Sequence, residues 1–127
     1  MVHLQRPLDP VQLKIHIASI RSLASEGALL SDRAELSPAT PDYLRVHSEM
    51  LRDEAHDVQA ELASSEACAG LRKLKDRAER IAADLTAHLA LLSDSDHATS
   101  AGVHADFGRL AVEARSAEHE ADSAGCD

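Results

Sequence analysis

Apolar and small residues recur along this chain at alternating steps of three and four positions, separated by charged and polar residues. Such spacing places the apolar side chains on one face of a helix and the polar side chains on the opposite face. Four segments carry a stripe of this kind, and their members are Leu13, Ile17, Ile20 and Ala24; Leu44, His47, Leu51, Ala55, Val58 and Leu62; Leu71, Leu74, Ala78, Ile81 and Leu85; and Val103, Phe107, Leu110, Ala114, Ala117 and Ala121. The pattern predicts an all-α protein with four amphipathic helices.

The residues between the stripes predict where the helices begin and end. Asp9 followed by Pro10 is a capping residue followed by a first-turn proline, so the first helix begins there. Pro38 and Pro41 separate this helix from the second one. The first predicted helix follows the Asp9 cap and runs to about Arg33, and the second begins at Pro41 or Asp42 and weakens through Ser64 and Ser65. The third and fourth run over about 71–93 and 101–123.

The predicted connections are short, and short connections force consecutive helices to lie side by side in opposite directions. We therefore expect an antiparallel up-down-up-down four-helix bundle as a single domain over 9–124, with an N-terminal arm at 1–8 and a C-terminal tail at 125–127. The alanine-rich sequence around Gly70 leaves an alternative open. Helices 2 and 3 could continue through it as one long fused helix, which would give three helices instead of four.

The first helix carries more apolar residues than two neighbouring helices need to cover. Because Val11, Ile15, Leu29 and Leu30 lie outside its main stripe, this helix is either central in the bundle or exposed at an interface. The chain shows neither a nucleophile elbow nor a glycine-rich phosphate loop. These features favour a non-catalytic protein over an enzyme. We expect it to bind a protein partner or to form a homodimer, with those four residues as the contact.

The charge of the chain restricts its partners. The 127 residues carry a net charge of −9, with 44% hydrophobic and 28% charged residues. This is the composition of a soluble globular domain, and its charge repels nucleic acid and anionic membranes. Since no apolar run is long enough to span a bilayer and the first residues lack a secretion signal, we expect a cytoplasmic protein. A locally basic stretch at 72–80 is expected to face acidic residues near the end of the fourth helix.

Three histidines are the main chemical feature of the sequence. In an antiparallel bundle His47, His88 and His104 lie at the same end, and Glu54 lies two turns below His47. Imidazole nitrogens with a carboxylate suit Zn²⁺, Fe²⁺ or Cu²⁺, so a metal-binding bundle is the alternative function. Acid-base chemistry in the same cluster is a third hypothesis. The structural interpretation is a polar layer near the bundle end, in which His47 and His88 are hydrogen-bonded to each other or to Tyr43 or Thr86 and for which no cofactor is expected.

Two cysteines and two glycines leave further alternatives open. Cys68 and Cys126 are too few for a zinc motif, and a reducing cytosol would keep each as a free thiol. Both nonetheless lie at the same end of the predicted bundle, where a disulfide can form. Gly27 and Gly108 interrupt helices, either because another helix approaches closely or because the position tolerates glycine.

Overall fold

Four helices and two short strands make up the part of the chain that the computed structural model describes, residues 7–36, 41–93 and 101–126. In chain order they are β1 (Pro7–Leu8), α1 (Pro10–Leu36), α2 (Pro41–Ala63), β2 (Glu66–Ala67), α3 (Arg72–Leu92) and α4 (Ala101–Ser123). The predicted all-α class is confirmed. Within these ranges no helix has the length and apolar character needed to cross a bilayer. Predictions for 1–6, 37–40, 94–100 and 127 fall outside the described residues.

Two residues determine the start of α1. The Asp9 carboxylate accepts a hydrogen bond from the backbone N–H of Gln12 at 2.8 Å, which satisfies one of the free donors of the first turn. Pro10 occupies the first helical position, where no backbone N–H is needed. The predicted capping of α1 is confirmed, although the helix continues to Leu36, beyond the predicted end at Arg33.

The predicted stripes form the hydrophobic core. Their buried members lie on all four helices, and Phe107 is fully buried among them. On α3 the buried stripe extends past Leu85 to Leu89 and Leu92. Val58 on α2 is only partly buried, and it packs against the edge of the core. Each helix thus buries one apolar face, and this burial is the main force that holds the bundle together.

α1 contacts each of the other three helices and packs most extensively against α4. Two ion pairs join α1 and α4, Lys14 with Asp122 and Arg21 with Glu118 at 2.8 Å, and the His104 ring contacts Asp32 at 3.5 Å. The residue numbers increase along α1 from 14 to 32, while those of their partners on α4 decrease from 122 to 104. The two helices therefore run in opposite directions. The hydrogen bond from Lys14 lowers the pKa of the Asp122 carboxyl and raises the pKa of the Lys14 ammonium.

The basic stretch at the start of α3 contacts the acidic end of α4 as predicted. Arg77 and Glu120 form an ion pair at 2.7 Å. Two further acidic residues of α4, Glu118 and Asp122, pair with α1 instead. The acidic end of α4 therefore neutralises basic residues on both of its neighbours.

α2 and α3 are separate helices, so the alternative of one long fused helix is wrong. The hydroxyls of Ser64 and Ser65 turn back to donate to the Glu61 carbonyl at the end of α2. β2 follows this turn and pairs in parallel with β1, with Pro7 opposite Glu66. The chain between the two helices is thus occupied by a strand that the N-terminal segment holds in place.

A disulfide joins this connection to the segment after α4. Cys68 and Cys126 are bonded, with Cα atoms 5.6 Å apart, so the expectation of free thiols is wrong. A Cβ atom on Gly70 would overlap the carbonyl oxygen of Gly125, so the two segments approach this closely only with glycine at position 70. We call the paired strands and the disulfide the stapled end. Leu8 is buried there, and Cys126 is covalently attached rather than part of a free tail.

Candidate functional site

The His104 side chain contacts α1 and does not contact His47 or His88. Its Nδ1 lies 3.1 Å from the carbonyl oxygen of Ala28 and 3.5 Å from a carboxylate oxygen of Asp32. Both oxygens belong to the C-terminal half of α1. His104 therefore ties the start of α4 to the end of α1.

His88 makes the corresponding contacts between α3 and α4. Its Nδ1 lies 2.7 Å from the carbonyl oxygen of Asp84, and its Nε2 lies 3.2 Å from a carboxylate oxygen of Asp106. The ring also meets Phe107 edge to face, with centroids 6.2 Å apart. Protein oxygen atoms thus face both ring nitrogens.

His47 stacks on Tyr43 one turn earlier in α2, with ring centroids 4.8 Å apart and 30° between the ring planes. It also lines a cleft between α1 and α2, and Glu54 lines the same cleft. Among the described residues, no three His, Cys, Asp or Glu side chains are placed to hold a metal ion. The predicted set of His47, His88, His104 and Glu54 is therefore not gathered into one group. His88 contacts Asp106 on α4, and His104 contacts α1.

Three of the four predicted interface residues are exposed. Val11, Ile15 and Leu29 on α1 are 68%, 58% and 60% exposed. Leu30, in contrast, is 4% exposed and belongs to the core. One residue turns the helix by about 100°, so the step from Leu29 to Leu30 moves the side chain from the surface to the interior. Leu30 is thus not part of the exposed surface.

Two adjoining clefts between α1 and α2 form one surface groove. A cleft of about 350 Å³ lies between the C-terminal half of α1 and the first half of α2, and one of about 570 Å³ continues along the middle of both helices. Glu26 and Glu54 line both clefts, so the two adjoin at these residues. We call this feature the α1–α2 groove, and its apolar lining includes Ile15, Ala18, Leu29, Met50 and Val58.

The second helix also exposes large apolar side chains. Met50 lines the groove opposite Leu29 and is 51% exposed. Tyr43 and Val46 precede it on the same face of α2 and are exposed as well. The sequence interpretation missed this side of the surface. The steps of three and four positions from 43 to 46 to 50 are the signal that could have found it.

The middle of the α1–α2 groove is acidic. Glu26, Glu54 and Asp57 line it, and none of them has an ion-pair partner among the residues that the structure describes. Arg33 and His47 line the end nearest the C-terminus of α1. The groove thus combines apolar walls with a negative centre.

In comparisons with known proteins, no family model, curated protein or solved structure matches the chain.

Proposed function

We propose that this protein is a non-catalytic helical bundle that acts by binding a protein, either a different one or a second copy of itself, through the α1–α2 groove. The observation that carries the proposal is the set of apolar side chains exposed along this groove, with Leu29 on the α1 wall and Met50 on the α2 wall of the same cleft. Apolar side chains gathered at a groove are typical of interaction surfaces, whereas scattered ones are ordinary. Leu91 on α3 and Val112 on α4 are of the scattered kind.

Covering these side chains would stabilise a complex. Complete burial of one large aliphatic or methionine side chain contributes roughly 1.5–3 kcal/mol. A few such side chains at the centre of an interface supply most of its binding free energy. Leu29 and Met50 stand on helices that are already formed, so little backbone order has to be gained on binding.

The metal-binding alternative draws no support from the described residues, since they contain no group of three metal ligands. The cytoplasmic location stays a prediction. The disulfide between Cys68 and Cys126 favours an oxidising compartment instead, because the cytosol keeps most thiols reduced. Protein binding through the groove does not depend on which of the two compartments holds the protein.

Quantitative co-purification tests this proposal. The full chain and the double variant Leu29→Ser/Met50→Ser would be purified under identical conditions from the cells that make them, and light scattering would give the mass of each complex. The double variant Leu91→Ser/Val112→Ser is the matched control, since it removes exposed apolar side chains outside the groove. We expect a partner, or the second copy, to be lost with the groove variant and kept with the control. Equal recovery with all three proteins would contradict the proposal.

A further inference from the structure

We infer that the occupant of the α1–α2 groove is an amphipathic helix of another protein, with an apolar stripe flanked by lysine or arginine side chains. This inference rests on the proposed function and specifies the chemistry of the partner. Its two supports are the shape of the groove and the position of the acidic residues within it.

The shape of the groove suits a third helix. It follows α1 from Ile15 to Arg33, which at 1.5 Å per residue corresponds to about 27 Å, or five helical turns. Helices that lie in a groove between two others present residues at steps of three and four to the apolar walls. Leu29 and Met50 would receive such residues at one end of the groove, and Ile15 would receive them at the other.

The charges select a basic helix. Glu26 and Glu54 lie where the two clefts join, and Asp57 lies further along the same groove. Covering carboxylates with an apolar or acidic surface would remove water from them without replacing its hydrogen bonds. Lysine or arginine side chains at the edges of the stripe would supply charge-assisted hydrogen bonds to these carboxylates. The net charge of −9 would also speed the approach of a basic partner.

The same charges disfavour a second copy of this chain. A two-fold axis through the middle of the groove would place Glu26 and Glu54 against the same residues of the other copy. Like charges at the centre of an interface oppose association. Each copy also carries the same net charge of −9. A basic helix meets neither difficulty.

Synthetic peptides provide the direct test, with the full disulfide-bonded chain as receptor. The probe is a peptide of about 18 residues with leucines at helical spacing and lysines on both sides of the stripe. One control peptide replaces every lysine with glutamate, and another scrambles the lysine peptide so that the stripe is lost. We expect saturable one-to-one binding of the probe by fluorescence anisotropy, weakened at about 0.5 M NaCl. Both control peptides should bind at least about tenfold more weakly.

Variants of the chain locate the binding. We expect Glu26→Gln/Glu54→Gln and Leu29→Ser/Met50→Ser each to weaken probe binding by about tenfold. Asp76→Asn/Asp84→Asn is the charge control, because it changes the net charge by the same amount on the exposed surface of α3. This control should bind the probe as the unchanged chain does.

Several results would overturn the inference. They are absence of saturable binding, equal binding of the glutamate peptide, and equal weakening by the α3 charge control. A dimer seen by light scattering that disappears in Leu29→Ser/Met50→Ser would also overturn it, because the occupant would then be a second copy. That last result would leave the proposed function standing. Co-purification tests the proposed function without any peptide, so the two failures are distinguishable.

Discussion

At the scale of single residues, two helical glycines have different environments. A Cβ atom on Gly27 of α1 would lie 2.8 Å from two ring atoms of Phe107 on α4, whereas one on Gly108 would meet no atom within 4 Å. Gly27 therefore permits a close approach of α1 to Phe107 of α4, and Gly108 has no such role. The sequence predicts both roles equally well, because the difference depends on which residue of another helix lies opposite.

Substituting these glycines should have opposite effects on stability. Gly27→Ala gains about 1 kcal/mol of helix propensity, but it forces a fully buried ring to move, at a cost of roughly 1–3 kcal/mol. We expect a net loss of about 1 kcal/mol in the free energy of unfolding by urea denaturation. Gly108→Ala should gain up to about 1 kcal/mol, since nothing opposes the added methyl group.

A double variant tests the cause of the loss at Gly27. Adding Phe107→Leu should make Gly27→Ala less harmful than it is in the unchanged chain, because the smaller side chain leaves room for the methyl group. Equal stabilisation by Gly27→Ala and Gly108→Ala would show that α1 and α4 do not approach closely at this point.

At the scale of elements, periodicity and capping residues are sufficient to predict the helices. α4 has the predicted bounds, and Asp9 caps α1 as expected. The connection between α2 and α3 is different. The sequence around Gly70 is compatible with a continuous helix, and the break depends on β1 and on Gly125, which lie far away in the chain. Local sequence patterns contain no information about such partners.

The disulfide at the stapled end should make a large contribution to stability. Cys68 and Cys126 are 58 positions apart, and closing a loop of this length removes enough unfolded-chain entropy to stabilise the fold by about 4 kcal/mol in the chain-entropy approximation. We expect reduction, Cys68→Ser and Cys126→Ser each to lower the free energy of unfolding by about 2–4 kcal/mol. The stripe of buried residues on each helix should keep the helical circular dichroism signal in all three.

The control is thiol titration of the oxidised protein after denaturation without reductant. Both cysteines should be unreactive, and both should react once reductant is added. Reactive thiols in the oxidised, denatured protein would show that the bond does not form, and the connection between α2 and α3 would then be held by non-covalent contacts, among them the pairing of β1 with β2.

At the scale of the whole molecule, α1 has two functions in the bundle. One face of it packs against the other helices, while Val11, Ile15 and Leu29 remain exposed on another face. The sequence predicts the exposed apolar surface of α1 at three of the four named positions and is wrong at Leu30. It does not predict the α1–α2 groove, because Met50 becomes part of the same surface only when α2 packs beside α1. The contacts of the three histidines also depend on how the helices pack. His47 stacks on Tyr43, His88 contacts Asp106, and His104 contacts Asp32.

The claim that the α1–α2 groove binds a protein is tested most directly by site-specific photo-crosslinking in the cells that make this chain. A photoreactive residue would be introduced as Leu29→benzoylphenylalanine, with Val112→benzoylphenylalanine as the control on α4. Both positions are at least 60% exposed, so neither change should disturb the core. We predict a discrete crosslinked protein from position 29 and none from position 112. Crosslinks of equal yield and identity from both positions, or none from either, would contradict the account.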